Sequence, residues 1–478
     1  MDSLTLDAAA RVLGADPLPV EEGAAAATGA SIDTRSLWPG DLFFALPGER
    51  VDGHAFLEKA RDGGAAAAVV RRAAALTRPA GLPLLCVDDP AAALWALALF
   101  HRARLRATVV CITGSNGKTT TKEMVGAVAA TLGPAVRSEK SFNNHLGVPL
   151  SILRADAGTR TLVLEVGTSR PGEIARLAAL AKPRIAVVTN VGEAHLGNFG
   201  SLRAIAEEKA ALLAALPDDG TAVLNAHDEF VPLLAARSRG RVCTFGRLEA
   251  PGEAGEIGVD VWGTHVRRTT RPRGVSFFLY GKMRVALGME GIHNAGNALA
   301  ALAVGFLLGA EPTAMRDALR AVEPPRLRLQ RERVGGVVLV DDTYNANPAS
   351  VGAAIDELAA TVTDGRRVLV LGDMAELGGE SDAAHERLGR RAAGCVDVLW
   401  TVGPRARRAA EAALGTGLPR DRVVVSETLD QALLGPAFLP SPGDVILLKA
   451  SRATALDRLA AALRRRLAGR PRRPEKVG

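Results

Sequence analysis

Aromatic residues are only 4% of this 478-residue chain. Its interior must therefore be built from alanine, valine and leucine rather than from large rings. Cysteine is scarce as well. Cys86, Cys111, Cys243 and Cys395 lie far apart, with no Cys-x-x-Cys pair and no histidine at ligand spacing. That argues against a zinc site or a disulfide frame and for a reducing compartment. Long apolar runs are missing too: the uncharged stretch Ala295 to Ala310 covers 16 residues, short of the roughly 20 that a membrane-spanning helix needs. It reads as a buried core helix. The N-terminus, Met1-Asp2-Ser3-Leu4-Thr5-Leu6-Asp7, has neither the basic nor the apolar region of a signal peptide. The expectation is a cytoplasmic protein without membrane insertion. A net charge of +7 would suit a nucleic-acid partner, but much of the excess sits in the last 15 residues, from Arg464-Arg465-Arg466 to Lys476. No basic run interleaved with aromatics occurs elsewhere. No nucleic-acid partner is expected, the tail reads as a solvated, frayed end, and a monomer suffices.

What is present is a long chain, 48% hydrophobic and 23% charged, the composition of a globular protein. At about 150 residues per domain the length suggests three domains. Residues 1–103 mix short strands and helices: Asp41–Leu46, Ala66–Val70 and Leu84–Val87 as strands, with helices near Ala55–Gly63 and over Pro90–Arg102. From 104 to 323, apolar strands Thr161–Val166, Ile185–Asn190 and Ala222–Asn225 alternate with helices rich in alanine and leucine, which predicts a doubly wound, mostly parallel sheet. The stretch Gly246–Leu287 reads as an antiparallel excursion. Glu323-Pro324-Pro325 marks a boundary, and over 324–478 five more buried strands predict a second such domain: Val337–Val340, Val368–Leu371, Val398–Val402, Val423–Val425 and Val445–Leu448. The fold class is α/β with three domains: a small N-terminal α/β domain, a central P-loop domain with a doubly wound parallel sheet, and a C-terminal Rossmann-like domain.

One segment carries explicit chemistry. The apolar run Val109-Val110-Cys111-Ile112 leads into Thr113-Gly114-Ser115-Asn116-Gly117-Lys118-Thr119-Thr120 and a helix-compatible stretch. A strand, a glycine turn and a helix start form a phosphate cradle. Backbone N–H groups and the positive helix end face the anion, Lys118 reaches the terminal phosphates, and a threonine hydroxyl can ligate Mg²⁺. The usual loop has its first glycine six residues before the lysine, where Ile112 stands here, so this is a shortened variant. Glu165 ends a predicted strand, where ligands of parallel sheets gather and a carboxylate suits Mg²⁺. Taken singly, such an acid is more often a capping or surface residue, His195 after its strand a structural one, and Lys209 on the helix Leu202–Leu216 a solvated one.

Their joint occurrence changes that reading. The shortened loop, the segment Asn190-Val191-Gly192-Glu193-Ala194-His195-Leu196-Gly197-Asn198-Phe199-Gly200-Ser201, and Lys209 fourteen residues after the histidine resemble the Mur ligase family. The resemblance implies that Thr119, Glu165, His195 and a carbamylated Lys209 are Mg²⁺ ligands. Asp341 to Ser350, with Thr343-Tyr344-Asn345-Ala346-Asn347-Pro348, and Leu371-Gly372-Asp373-Met374-Ala375-Glu376-Leu377-Gly378 are similar to motifs of the member that joins D-alanyl-D-alanine to UDP-N-acetylmuramoyl-tripeptide. By the same resemblance ATP is held by Gly114, Ser115, Asn116, Gly117, Lys118, Thr119 and Thr120, by Asn294 and Asn297 of His293-Asn294-Ala295-Gly296-Asn297 near the adenine, by Asp342 at the ribose, and by Arg326 at the γ-phosphate. Substrate contacts are implied at Ile32, Thr34, Gly48, Glu49 and Arg50 in the first domain, at Asn143 and Asn144, and at Asn345, Asn347, Lys449, Ser451 and Arg452. Lys118, Glu165, His195, Lys209 and Arg326 form the implied catalytic set. The implied reaction is acyl-phosphate ligation in cytoplasmic peptidoglycan precursor synthesis. Ser169-Arg170 and Ala450 depart from the family pattern. Two enzyme alternatives remain: a sibling adding diaminopimelate or lysine, whose third-domain D-N-P-R-like motif is absent after residue 326, and folylpolyglutamate synthase, which lacks such an N-terminal domain. A non-catalytic nucleotide scaffold would be expected to lose one of Lys118, Glu165, His195 or Lys209.

Overall fold

Strand-forming residues separate into three sheets, each with helices packed on it. The computed structural model describes residues 1–16, 25–48, 51–72, 79–250, 252–435 and 439–469. In the first sheet β3 (Gly29–Ser31), β4 (Asp41–Phe44), β5 (Ala67–Arg71) and β6 (Leu84–Val87) lie parallel in chain order. Beside it, β1 (Leu4–Thr5) pairs antiparallel with β2 (Ala26–Ala27). The helix Pro90–Arg102 starts where the Asp89 side chain caps the Ala91 N–H and Pro90 supplies a preset φ at the first turn. Its buried Leu94 and Leu97 join a core shared with the central domain, including Ile152 and Leu153, so the first two domains are packed together through apolar surface.

The central sheet has nine strands in the order β15-β14-β13-β12-β11-β10-β7-β9-β8. These are β7 (Thr108–Thr113), β8 (Ala135–Arg137), β9 (Thr161–Glu165), β10 (Ile185–Val188), β11 (Thr221–Asn225), β12 (Arg241–Arg247), β13 (Val261–Thr270), β14 (Arg273–Leu279) and β15 (Met283–Leu287). β13, β14 and β15 are the antiparallel excursion, while β12 still runs parallel to β11 and β13. The chain leaves β7 toward β9 and β8 on one side and later returns to β10 on the other. Such a switch point opens a crevice at the carboxyl ends of the strands. Register does the rest: Ile112 pairs with Glu165 and Thr113 with Val188, so the glycine turn, the acid and the loop after β10 end side by side. The uncharged stretch after residue 294 is a buried helix, His293–Leu308, packed with Val125 and Val128 of helix Lys118–Ala130. Among the described residues no helix is long and apolar enough to cross a membrane.

The third sheet is β16-β17-β21-β18-β19-β20, parallel except for the edge strand β16 (Gln330–Val334) against β17 (Val337–Asp342). The others are β18 (Arg367–Gly372), β19 (Val398–Val402), β20 (Val423–Ser426) and β21 (Val445–Lys449). The sequence reading missed β16 because Gln330-Arg331-Glu332-Arg333-Val334 shows no apolar alternation, as a polar edge strand need not. It also took Arg464 as part of a solvated tail. That expectation fails: helix Asp457–Ala468 carries Arg464 to Asp341, whose carboxylate is 1% exposed and accepts from Arg464 Nη2 at 2.8 Å, with Glu332 beside it. Residues 470–478 of the tail lie outside the described residues. The third domain is docked on the second through Arg331–Glu290 at 3.0 Å and Arg268–Glu357 at 3.0 Å.

Candidate active site

The glycine turn after β7 is shaped by what surrounds it. Gly114 has φ +146°, and a Cβ there would sit 1.9 Å from Thr189 Oγ1; Gly117 has φ +82°, and its Cβ would reach 2.4 Å from Asn297 Oδ1. Neither position admits another residue without rebuilding. The turn is pinned to the loop after β10. Ser115 N–H donates to Asn190 O at 2.9 Å, Asn116 N–H to Asn190 Oδ1 at 2.9 Å, and Gly192 N–H to Ser115 Oγ at 2.8 Å. Lys118 opens the following helix and folds back, donating to Gly114 O at 2.6 Å. Burial draws its ammonium down to about 8, with Glu165 opposing and Arg328 reinforcing the shift.

Two cavities meet at this turn. One, of about 390 Å³, runs under the third domain past His293, Asn294, Asn297 and Asp342. The other, of about 500 Å³, passes Lys118, Asn143, Glu165, His195, Tyr344 and Asn345. Asn116, Gly117, Arg328, Ser350 and Lys449 line both. In the first, Asn297 Nδ2 donates to Asn294 Oδ1 at 2.8 Å and Asn294 Nδ2 to Glu290 O at 2.7 Å. Burial holds the His293 imidazole down to about 4, so it is an uncharged ring at neutral pH. Asp342 accepts from Lys449 Nζ at 2.5 Å and from Leu329 N–H at 3.3 Å.

The second cavity holds the expected acid and histidine. Glu165 is 1% exposed; its Oε1 accepts from Asn143 Nδ2 at 2.8 Å, and its Oε2 is buried with no partner among the described residues. An orphaned carboxylate oxygen at a phosphate cradle is chemically suited to a hard cation. His195 lines the same cavity and adds an imidazole, so this pair suits Mg²⁺, while the Thr119 hydroxyl would join it only by giving up the hydrogen bond it accepts from Arg328. Among the described residues no three acid, histidine or cysteine side chains form a complete metal cluster; oxygens from a nucleotide or another anion would be needed. Lys209 is buried, 3% exposed, and makes no hydrogen bond or ion pair among the described residues. Burial, then the charge of Lys118, brings its amine down to about 7 against the pull of Glu208 and Asp228. Those two carboxylates are spent on backbone: Glu208 accepts from Gly172 N–H at 2.7 Å and Ile174 N–H at 2.8 Å, and Asp228 from Val191 N–H at 2.6 Å.

The structure places Arg326, expected at the γ-phosphate, away from the turn. Arg326 is exposed and lines neither cavity. Arg328 lines both, stacks 4.4 Å from the Tyr344 ring, and donates from Nη2 to Thr119 Oγ1 at 3.1 Å. Leu327 and Leu329 on either side adopt positive φ, a local twist that turns this arginine inward, and nothing in the alternation Arg326-Leu327-Arg328-Leu329 announces it. Asn143, Asn144, Asn345 and Asn347 do reach the second cavity, and Asn347 Nδ2 donates to Asn116 Oδ1 at 2.8 Å. Ser451 and Arg452 reach neither cavity. Ser451 Oγ accepts from Ala375 N–H and Arg452 pairs with Asp457, both contacts lying within the third domain. Ile32, Thr34 and Gly48 stand in the first domain away from both cavities, and Glu49 and Arg50 lie outside the described residues. The sequence reading also missed Glu376 as a neighbour of His195. Its carboxylate meets His195 Nδ1 from the third domain.

Known proteins resemble this chain in sequence and in fold. Residues 27–102 match the model described as "Mur ligase family, catalytic domain", residues 112–305 the "Mur ligase middle domain", and residues 325–452 the "Mur ligase, glutamate ligase domain". The UDP-N-acetylmuramoyl-tripeptide–D-alanyl-D-alanine ligase of Mycobacterium leprae is 37% identical, with 96% of this chain and 98% of that protein covered. Its counterpart in Escherichia coli is 36% identical, covering 90% and 92%. Among solved structures, MurF from Acinetobacter baumannii aligns with a TM-score of 0.80 at 29% identity over 97% of this chain and 99% of that one. MurF ligase from Thermotoga maritima in complex with ADP gives 0.74 at 28% identity over 93% and 99%.

Proposed function

The chain belongs to the Mur ligase family, and from that premise we infer that it uses ATP to join D-alanyl-D-alanine to UDP-N-acetylmuramoyl-tripeptide, releasing ADP and phosphate. The observation that carries the reading is the pair of cavities sharing one glycine turn, since a ligase of this kind must present the γ-phosphate of one ligand to the carboxylate of another. The first cavity suits the nucleotide, with Asn294 and Asn297 at the adenine and Asp342 at the ribose. The second suits the peptide end. Residues 1–103 would hold the uridine nucleotide, with Ile32 and Thr34 among its contacts. Residues 104–323 would hold ATP, and residues 324–478 would close over it and receive D-alanyl-D-alanine. Because the substrate is a nucleotide-linked cell-wall precursor, we place the reaction in the cytoplasm, carried out by a monomer.

In the first step a carboxylate oxygen of the tripeptide attacks the γ-phosphorus, the bond to the β-phosphate oxygen breaks, and ADP leaves. Lys118 and Arg328 offset the charge spreading over the transferring oxygens. Thr119, Glu165, His195 and a carbamylated Lys209 would hold Mg²⁺, which when bound neutralises phosphate charge and orients the γ-phosphoryl group. In the second step the dipeptide's free amine attacks the acyl carbon, and the tetrahedral intermediate expels phosphate, which leaves with the C–O bonding pair and takes up the proton lost from nitrogen. The docked third domain keeps water from the acyl phosphate. Phosphate release measured with UDP-N-acetylmuramoyl-tripeptide, with and without D-alanyl-D-alanine, tests the reading. Turnover should require the dipeptide, and equal turnover with free diaminopimelate or lysine on the dipeptide precursor would overturn it.

Two further outcomes are expected. Arg328→Ala should lower kcat by about 10²-fold, the usual loss for one charge-stabilising donor, while Arg326→Ala should stay near wild type; steady-state kinetics in which the two effects are reversed would restore Arg326. The pH profile of kcat/KM for ATP should be bell-shaped. Lys209 must lose its proton to accept CO₂, and its amine lies at about 7, so activity rises through that value. Lys118 must keep its proton, and its ammonium lies at about 8, so activity falls as pH climbs past it. A flat profile across that window would contradict both roles.

A further inference from the structure

His195 and Glu376 belong to different domains, and both occupy the left-handed region, at φ +61° and +63°. Two non-glycine residues in this conformation, facing each other, are held there only because the surroundings over-determine them. The backbones are locked together as well. Gly197 N–H donates to Glu376 O at 2.8 Å. A Cβ on Gly197 would stand 2.6 Å from Gly378 N, and one on Gly378, itself at φ +58°, would stand 2.9 Å from Gly197 Cα. Arg387 of the third domain adds a hydrogen bond to Glu193 Oε1 at 3.3 Å, two residues before the histidine. At the centre of this contact the Glu376 carboxylate makes a close ion-pair contact with the buried His195 Nδ1, which falls outside hydrogen-bond geometry and has no other partner among the described residues, while Nε2 makes no hydrogen bond among the described residues and the residue lines the second cavity.

We propose that Glu376 is a positioning residue for the reaction. It fixes the His195 ring through Nδ1 so that Nε2 faces the phosphate side of the cavity, and it does so only when the third domain is docked. An imidazole whose second nitrogen meets a carboxylate has one ring orientation and higher basicity at the other nitrogen. One ligand of the Mg²⁺ site is thereby completed from the third domain, and cation binding is linked to domain docking. The proposal rests on the ligase reading for what His195 binds. The contact itself stands independently of that reading.

The test uses the full-length protein and three variants, Glu376→Ala, Glu376→Gln and Gly197→Ala. The magnesium dependence of binding of a non-hydrolysable ATP analogue is measured by calorimetry, alongside the magnesium dependence of velocity and the melting temperature. Glu376→Ala should raise the Mg²⁺ concentration for half-saturation about tenfold or more, the usual loss on removing such a partner, in both assays and with unchanged melting temperature. Glu376→Gln keeps an acceptor oxygen and should fall between Ala and wild type. Gly197→Ala, which forces the two turns apart with Glu376 intact, should reproduce the shift. Wild-type magnesium dependence in Glu376→Ala would overturn the proposal. So would a shift confined to KM for D-alanyl-D-alanine, which would make Glu376 a reader of the dipeptide amine. If the wild type bound the analogue with magnesium but released no phosphate with the ligase substrates, the functional reading alone would fall.

Discussion

Lys118→Ala is expected to lower kcat by about 10²–10³-fold, the range seen when one preorganised donor to a developing charge is lost, with an unchanged melting curve. The side chain contributes little to the fold. Its ammonium donates to the Gly114 and Ser115 carbonyls, and the turn is held without it by the Ser115, Asn116 and Gly192 hydrogen bonds to the loop after β10. Truncation therefore removes a charge that a phosphoryl group would draw out of this resting position, while the cradle stays. Single-turnover kinetics with a melting scan separate the two effects. Retention of more than about a tenth of the wild-type rate, where several kcal/mol of barrier are at stake, would show that Lys118 does not meet the transferring phosphate.

Lys209→Ala should be nearly inactive and should regain part of its activity when a short carboxylate is added to the assay. The buried amine has no partner among the described residues, and the nearest carboxylates, Glu208 and Asp228, are occupied by backbone N–H groups. A cation left alone in such a place is costly, which is why burial pulls the amine down to about 7. An amine that loses its proton near neutrality can add CO₂: the N–C bond forms, a proton leaves, and the cation becomes an anion. An added carboxylate in the space of the deleted side chain would supply that anion, whereas Lys209→Arg keeps a fixed positive charge and should not be rescued. Carbamates are lost in acid, so the rescue is more informative than mass spectrometry. A fully active Lys209→Ala enzyme without added carboxylate would end the assignment.

The phosphate cradle was legible because its chemistry is contiguous. A strand, a glycine turn and a lysine at a helix start are read within a dozen residues, and local sterics then leave few ways to fold them. The same holds for the alternation of apolar strands and helices behind both parallel sheets, and for Glu165 at a strand end, since period and hydropathy are properties of neighbours in sequence. β16 escaped this logic. An edge strand of Gln330-Arg331-Glu332-Arg333-Val334 shows no apolar alternation; it is held by a hairpin ladder with β17 across Gly335-Gly336 and by the ion pairs Arg331–Glu290 and Glu332–Arg464, and those charge partners are not local.

By itself, then, the sequence determined the α/β class and the nucleotide turn, because each depends on patterns a few residues long, whereas Glu165 and Lys209 were singled out only by the joint resemblance of distant segments to one family. Only the tertiary structure decided which arginine faces the turn, since Arg326 and Arg328 stand two residues apart in one alternating stretch and the backbone twist at Leu327 and Leu329 is not announced by it. The structure also decided that Arg464 is an interior ion-pair partner rather than part of a solvated tail, and that Glu376 stands against His195. A side chain's direction and its charge partner are set by what another domain brings opposite it, and that information lies in the packing of segments far apart in the chain.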